Sequence, residues 1–215
     1  MSEFRSGDDA VTTAVIRSGV VAVLRAPTAD GFAAVADVLV NAGITALEVT
    51  LTSQGAIDAL AGLRRQLPDH AVLGAGTVLT ADQAKASVDA GAAFLVSPVL
   101  DLELLDGFGV PFYPGVLTPT EVFTAHRAGA AIVKLFPAAT VGPRYVKDLH
   151  GPLPDVRIMP TGGIDIGDIA SWLTAGAVSV GLGSPLLGDA AQGGSLAALA
   201  DRARRAADAV AFARS

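Results

Sequence analysis

Residues 130–137 read AAIVKLFP, and one of them, Lys134, is a lysine inside an otherwise apolar run. An ammonium is costly to bury, so the position calls for a chemical role or a route to solvent. Burial and neighbouring cations favour the neutral amine of a lysine, and a neutral amine attacks carbonyl carbon. The second polar interruption is Glu48, within ALEVT at 46–50. A carboxylate near such an amine can move the protons that imine formation and carbon–carbon cleavage require. It also favours the charged lysine; Arg25, at the end of VVAVLR, would tilt the balance back toward the free amine. Two blander readings stand beside this one. Lys134 can be a snorkelling side chain, and Glu48 can be its structural ion-pair partner, an arrangement that adds little stability.

These residues need elements to hold them. Short β-type runs recur at 20–24, 46–50, 71–75, 93–96, 110–113, 131–135, 156–159 and 178–181. Most are apolar on both faces, as parallel strands covered by helices are. Amphipathic segments lie between them, including 28–41, 53–66, 80–90, 118–128 and 165–174. Thr28, Ser53, Thr80, Thr118 and Asp165 are the expected N-caps. Gly43, Gly91, Gly129 and Gly176, each preceded by Ala, stand where a helix must end and the chain turn back.

Strand ends recur about every 22 to 23 residues, which suits a strand plus a three-turn helix. Eight such units predict a single-domain (β/α)8 TIM barrel over 1–215; a doubly wound open sheet is the alternative. Residues 9–18 read as an extra N-terminal helix and 195–214 as a closing amphipathic helix, with 1–8 a polar tail. The Ala-rich helices hint that another subunit covers part of the outer wall.

In a barrel, chemistry gathers at the C-terminal ends of the strands, and most of the polar interruptions fall there. Strand one ends in Arg25, strand three in Gly74-Ala75-Gly76-Thr77 and strand four in Ser97-Pro98. Alternation puts Ile132, Lys134 and Phe136 on one face, and Ala46, Glu48 and Thr50 on another. If both faces point inward, Lys134 and Glu48 converge on the mouth. Strands seven and eight end in Thr161-Gly162-Gly163 and Gly181-Leu182-Gly183-Ser184. Glycine turns at that place are where barrels commonly bind phosphate through backbone N–H groups.

Composition narrows the partners. The chain has 215 residues, 51% hydrophobic and 17% charged, which excludes a disordered chain. Its net charge of −6 without a basic block argues against nucleic acid. No apolar run is long enough for a membrane span, and MSEFRSGDDA has no signal-peptide pattern, so a cytoplasmic protein is expected. The absence of cysteine removes thiolate chemistry, and no His, Asp and Glu set has metal-ligand spacing. His70, His126 and His150 read as surface residues, and Trp172, Tyr145 and Phe123 as packing residues.

The stretches VVAVLRA, LEVTLTS, LGAGTVLT, FLVSPVL, FYPGVLTPTE, VKLFPA, MPTGGI and VGLGSPL resemble, in this order, the 2-keto-3-deoxy-6-phosphogluconate (KDPG) and 4-hydroxy-2-oxoglutarate (KHG) aldolase family. The likeness runs from about residue 12 to the C-terminus. It implies a class I aldolase with Lys134 as the Schiff-base lysine and Glu48 as general acid/base. Arg25 and Thr77 would hold the pyruvyl carboxylate, and Pro98 and Phe136 would shape the pocket. Thr161, Gly162, Gly163, Gly183 and Ser184 would receive the phosphate. An arginine common four residues after the glutamate is Thr52 here, so the carboxylate role falls to Arg25. The resemblance further implies a phosphorylated 2-keto acid substrate, no cofactor or metal, and a homotrimer. The C4 epimer of KDPG is an alternative substrate, and a phosphosugar isomerase or epimerase on the same barrel a remoter one.

Overall fold

Among the described residues, nine short parallel strand segments, rich in Val and Leu, supply the wall of the molecule. They are β1 (Val20–Leu24), β2 (Ala46–Thr50), β3 (Val72–Gly76), β4 (Phe94–Val96), β5 (Phe112–Tyr113), β6 (Gly115–Val116), β7 (Val133–Leu135), β8 (Ile158–Pro160) and β9 (Val180–Leu182). The computed structural model describes residues 10–215, so the tail at 1–8 and residue 9 lie outside the described residues. Six segments form one ladder in the order β5-β4-β3-β2-β1-β9, and β6-β7-β8 form another. All pairs are parallel.

The two ladders are one curled sheet. β5 and β6 are a single stave interrupted at Pro114, which has no N–H to give to a ladder. The Pro114 carbonyl still accepts from the Lys134 amide at 2.8 Å. On the other side, Thr161 bridges Gly181, and the Val178 amide donates to the Ile158 carbonyl at 3.0 Å. Eight staves therefore close into a barrel, and the open doubly wound alternative falls away.

Strand alternation sorts the core into two shells. Between strands and helices lies a large cluster that includes Leu24, Leu47, Leu95, Leu135 and Leu182. Inside the ring a second cluster unites Val15, Val21, Ala46, Phe94, Val96, Tyr113, Ile132 and Met159. Val15 comes from α1 (Ala10–Ser18), the extra N-terminal helix. It plugs one end of the barrel, and its buried Thr12 hydroxyl shares a hydrogen bond of 3.0 Å with the Tyr113 hydroxyl. The Tyr113 and Phe94 rings stack at 5.4 Å between centroids.

The outer helices are α2 (Phe32–Asn41), α3 (Ala56–Gln66), α4 (Ala81–Asp89), α5 (Pro119–Arg127), α6 (Arg144–His150), α7 (Ile169–Thr174), α8 (Ser184–Leu187) and α9 (Leu196–Ala213). Thr80, Thr118 and Ser195 cap α4, α5 and α9. Asp165 caps a 3-10 turn that leads into α7. Thr28 and Ser53 cap nothing, contrary to expectation. Thr28 bridges Gln54, and Ser53 accepts from the Ala26 amide, so α2 and α3 start later. The connection after β4 holds only a 3-10 turn at Leu102–Leu104 in place of a helix. Gly43, Gly91, Gly129 and Gly176 all take positive φ, as their helix-ending role requires.

His126 and His150 are half-buried rather than surface residues; Nε2 of His150 lies 2.9 Å from the Val156 carbonyl. Trp172 is buried and Tyr145 donates to the Leu117 carbonyl, whereas Phe123 is exposed beneath the Arg127 guanidinium. Among the described residues, no helix is long and apolar enough to cross a membrane.

The first turn of α5 makes a pH-dependent contribution. Hydrogen bonds from the Thr118 amide, the Leu117 amide and the Thr118 hydroxyl hold the Glu121 carboxyl below its ordinary value of 4.5. A depressed folded-state pKa gives stability that is present above the unfolded value and is lost as pH falls through the folded one. Glu121→Gln is therefore expected to lower the melting temperature at neutral pH, with the gap from the parent narrowing in acid as pH falls below 4.5. Thermal scans at neutral and acid pH check this; a gap that persists in acid would refute it.

Candidate active site

Lys134 sits in the middle of β7, between Gly115 of β6 and Met159 of β8. Its neighbour two residues back, Ile132, belongs to the cluster inside the ring, so the lysine also faces inward. The residue is only 3% exposed. Its Nζ stands 5.2 Å from the centroid of the Phe136 ring, within cation–π range. The amine therefore ends beside the half-buried Phe136, one inward position nearer the mouth.

Glu48 is 1% exposed, and neither of its carboxylate oxygens has a hydrogen-bond partner. The ion-pair reading fails on this point, since such a pair would satisfy at least one oxygen. Enclosing an unpaired carboxylate costs several kcal/mol. Packing gives no reason to keep it, which turns attention to chemistry. The adjacent strand is shaped around it. A Cβ at Gly76 would lie 1.8 Å from Glu48 Oε1, and one at Gly74 would lie 2.4 Å from the Phe94 ring. Both glycines face inward beside Glu48, which is opposite Gly74 in the ladder. Sequence reasoning placed GAG at a strand end but missed this purpose. The signal was two glycines spaced by two on a strand, where glycine otherwise weakens pairing.

Directly after Gly76, Thr77 adopts a left-handed backbone with φ of 59°, which a β-branched residue rarely does. The strain is of order 1–2 kcal/mol and turns its side chain toward the first strand end. There the exposed Arg25 guanidinium donates to Thr77 Oγ1 over a long 3.4 Å. The loops bearing these residues are tied together. Thr50 Oγ1 donates to the Leu24 carbonyl at 3.1 Å, and the Ala26 amide donates to Ser53 Oγ at 3.2 Å. Thr52 is exposed and donates to Thr50 Oγ1 at 3.3 Å.

The remaining predicted residues surround the same mouth. Pro98 is half-buried, and a Cβ at Gly115 would strike its backbone at 2.2 Å, so it lies against the stave beside Lys134. Thr161 is 7% exposed, and Gly181 lacks a side chain where a Cβ would meet Thr161 Oγ1 at 2.3 Å. Gly162 and Gly163 take φ of +94° and +72°. Gly162 lies under the Phe136 ring, and a Cβ there would come within 2.9 Å of it. Gly183 and the exposed Ser184 open α8 on the neighbouring stave. The glycine turn after β8 and the lysine are thus joined through Phe136, while Glu48, Thr77 and Arg25 line the facing strands. An open groove of about 440 Å³ between α3 and α4, lined by Leu51, Asp58, Gln83 and Ala86, contains none of them. Among the described residues no group of His, Cys, Asp or Glu could hold a metal ion.

The chain has relatives among known proteins. The family profile for KDPG and KHG aldolase matches residues 11–199. The chain belongs to the KDPG and KHG aldolase family. Family membership makes it a carbon–carbon lyase. It is 36% identical over 170 residues to the 2-dehydro-3-deoxy-6-phosphogalactonate aldolase of Escherichia coli, covering 77% of this chain and 83% of that one. The KDPG aldolase of Legionella pneumophila, solved with pyruvate captured as a covalent carbinolamine intermediate, superposes with a TM-score of 0.84 at 30% identity. The match covers 91% of this chain and 97% of that one. A third likeness is a chain of a cube-shaped cage designed by fusing symmetric oligomeric domains, with TM-score 0.84 and 33% identity, over 91% of this chain and 73% of that one.

The space at Gly76 makes a direct test possible. Gly76→Ala is expected to displace Glu48 Oε1 and to lower aldol turnover by about 10²-fold, the low end for a lost general acid/base. Far-UV circular dichroism should remain that of the parent. Full turnover in this variant would show that the carboxylate position is unimportant.

Proposed function

We propose that the protein is a class I aldolase that reversibly cleaves KDPG to pyruvate and glyceraldehyde 3-phosphate, with Lys134 as the Schiff-base residue and Glu48 as the general acid/base. The observation that carries this reading is the buried Glu48 carboxylate, unpartnered at both oxygens, in the barrel that also encloses Lys134. Lys134 as the free amine attacks the C2 ketone, giving a carbinolamine. Loss of water forms an iminium that acts as the electron sink. Glu48, through a water, takes the C4 hydroxyl proton as the C3–C4 bond breaks; the bonding pair moves into the enamine and glyceraldehyde 3-phosphate departs. The enamine takes a proton at C3, and hydrolysis of the imine returns pyruvate and the free lysine. The steps need no metal or cofactor.

Arg25 and Thr77 hold the pyruvyl carboxylate in this reading. The strained Thr77 supports it, because a left-handed threonine persists only where its surroundings impose it. Pro98 and Phe136 form the walls. Thr161, Gly162, Gly163, Gly183 and Ser184 receive the phosphate through the Thr161 hydroxyl and loop amides. Relatives bearing KDPG and 2-dehydro-3-deoxy-6-phosphogalactonate names differ in the C4 configuration of their substrates, and the Escherichia coli relative gives the C4 epimer specific support. Cleavage of 4-hydroxy-2-oxoglutarate to pyruvate and glyoxylate would use the same amine without the phosphate loops. For assembly we read a homotrimer, supported by the oligomeric domains of the similar cage chain and by Leu79, Val99 and Leu102 exposed on the outer loops.

Borohydride added with pyruvate tests the chemistry. It is expected to fix the mass of a reduced pyruvyl adduct on Lys134, and Lys134→Ala is expected to lose turnover. Intact activity without an adduct would remove the Schiff-base reading, and ligand binding without any turnover would leave a non-catalytic phosphosugar-binding barrel. Steady-state kinetics on KDPG, its C4 epimer and 4-hydroxy-2-oxoglutarate rank the substrates. A Cβ at Gly183 would meet only Val23, at an ordinary contact distance of 3.9 Å, so Gly183→Ala probes the phosphate loop without a clash. The added methyl would crowd a phosphate against the loop amides, so kcat/KM for KDPG is expected to fall by about tenfold, the size of one weakened charge-assisted hydrogen bond, with the unphosphorylated substrate spared. Equal losses on both would count against a phosphate role.

A further inference from the structure

We infer that the Thr50 and Ser53 hydroxyls form a positioning pair for Arg25, gripping the peptide groups on either side of it. The inference rests on the reading of Arg25 as a carboxylate-holding residue. Thr50 is fully buried, and its Oγ1 donates to the carbonyl of Leu24, the residue before the arginine, at 3.1 Å. Ser53 is 3% exposed, and its Oγ accepts from the amide of Ala26, the residue after it, at 3.2 Å. Thr52 donates to Thr50 Oγ1 at 3.3 Å, which leaves the Thr50 proton to the Leu24 carbonyl.

Neither hydroxyl is needed by its own element. Thr50 ends β2, where backbone groups make the ladder. Ser53 stands where a helix cap is expected, yet α3 begins behind Gly55 without a side-chain cap. The serine serves the neighbouring loop instead. Two further bonds extend the same registration beyond the strands: the Ala29 amide donates to the Gln54 carbonyl at 2.9 Å, and the Gln54 amide to the Pro27 carbonyl at 3.0 Å. The loop holding Arg25 is therefore laid against residues 50–54 along its length, while the arginine side chain itself is exposed and touches Thr77 only at 3.4 Å. A long exposed side chain carries much rotamer freedom. Fixing its backbone on both sides is the means by which this site limits where the guanidinium can reach, and such placement is worth binding and rate.

Pyruvate isolates the effect, because it carries the ketone and carboxylate but no phosphate. The readout is the pyruvate concentration that half-saturates borohydride trapping on Lys134. Ser53→Ala and Thr50→Val are each expected to raise it about three- to tenfold, the effect of one lost hydrogen bond, with an unchanged plateau. Ser53→Thr, which keeps the hydroxyl, should restore the parent value. Arg25→Ala should raise the concentration further, and adding Ser53→Ala to it should have no additional effect. An equal shift from Ser53→Ala with and without Arg25, or no shift from either hydroxyl variant while Arg25→Ala shifts, would overturn the positioning role and leave the Arg25 reading standing. No shift from Arg25→Ala, or no adduct at all, would overturn the underlying reading and this inference with it.

Discussion

The carboxylate of Glu48 is enclosed in the barrel with neither oxygen hydrogen-bonded, and the neighbouring strand is built to permit it. Glycine at position 76 leaves the volume in which Oε1 lies; any side chain there would collide with it. That concession weakens β3, since glycine contributes no packing and loses backbone entropy on folding. The unpaired carboxylate costs further stability. A barrel selected for stability alone would put an apolar residue at 48 and a branched one at 76. The surrounding architecture tolerates the loss because Val21, Phe94, Val96, Tyr113, Ile132 and Met159 fill the rest of the interior.

Glycine recurs where the site needs room. Gly74 admits the Phe94 ring, Gly115 lets the chain at Pro98 approach, Gly181 accepts the Thr161 side chain and Gly162 lies under Phe136. The mouth is thus assembled by withholding side chains from several staves. The space so gained receives a few large or polar ones from their neighbours. Closure of the ring has the same local character: Pro114 divides the fifth stave, and the eighth and ninth segments meet through the Thr161–Gly181 bridge. Regular pairing gives way beside Lys134 and at Thr161.

Much of the fold was legible in the sequence. Apolar runs at a steady interval announced eight staves, because parallel strands covered on both faces must be apolar throughout. Local rules failed where a tertiary contact competed for the same group. Ser53 looks like a helix cap, but its hydroxyl is committed to the neighbouring loop; Thr28 bridges that loop through its backbone while its hydroxyl donates to Asp30, and both helices begin later. The connection after β4 was expected to hold a helix and holds a 3-10 turn. His126 and His150 look like isolated polar residues, and burial at helix ends was invisible without knowing what packs there.

Sequence by itself determined which residues interrupt an apolar barrel, and strand alternation put Lys134 and Glu48 on faces that could converge. It could not say whether the two would pair. That depends on distances between strands far apart in the chain, and on the shape of a third strand, β3. Only the tertiary structure decided that Glu48 is left without a hydrogen bond, that Gly76 makes its space, and that the Leu24 carbonyl and Ala26 amide flanking Arg25 bond to the Thr50 and Ser53 hydroxyls. Alternation is a property of one strand, whereas an unpaired charge is a property of everything around it.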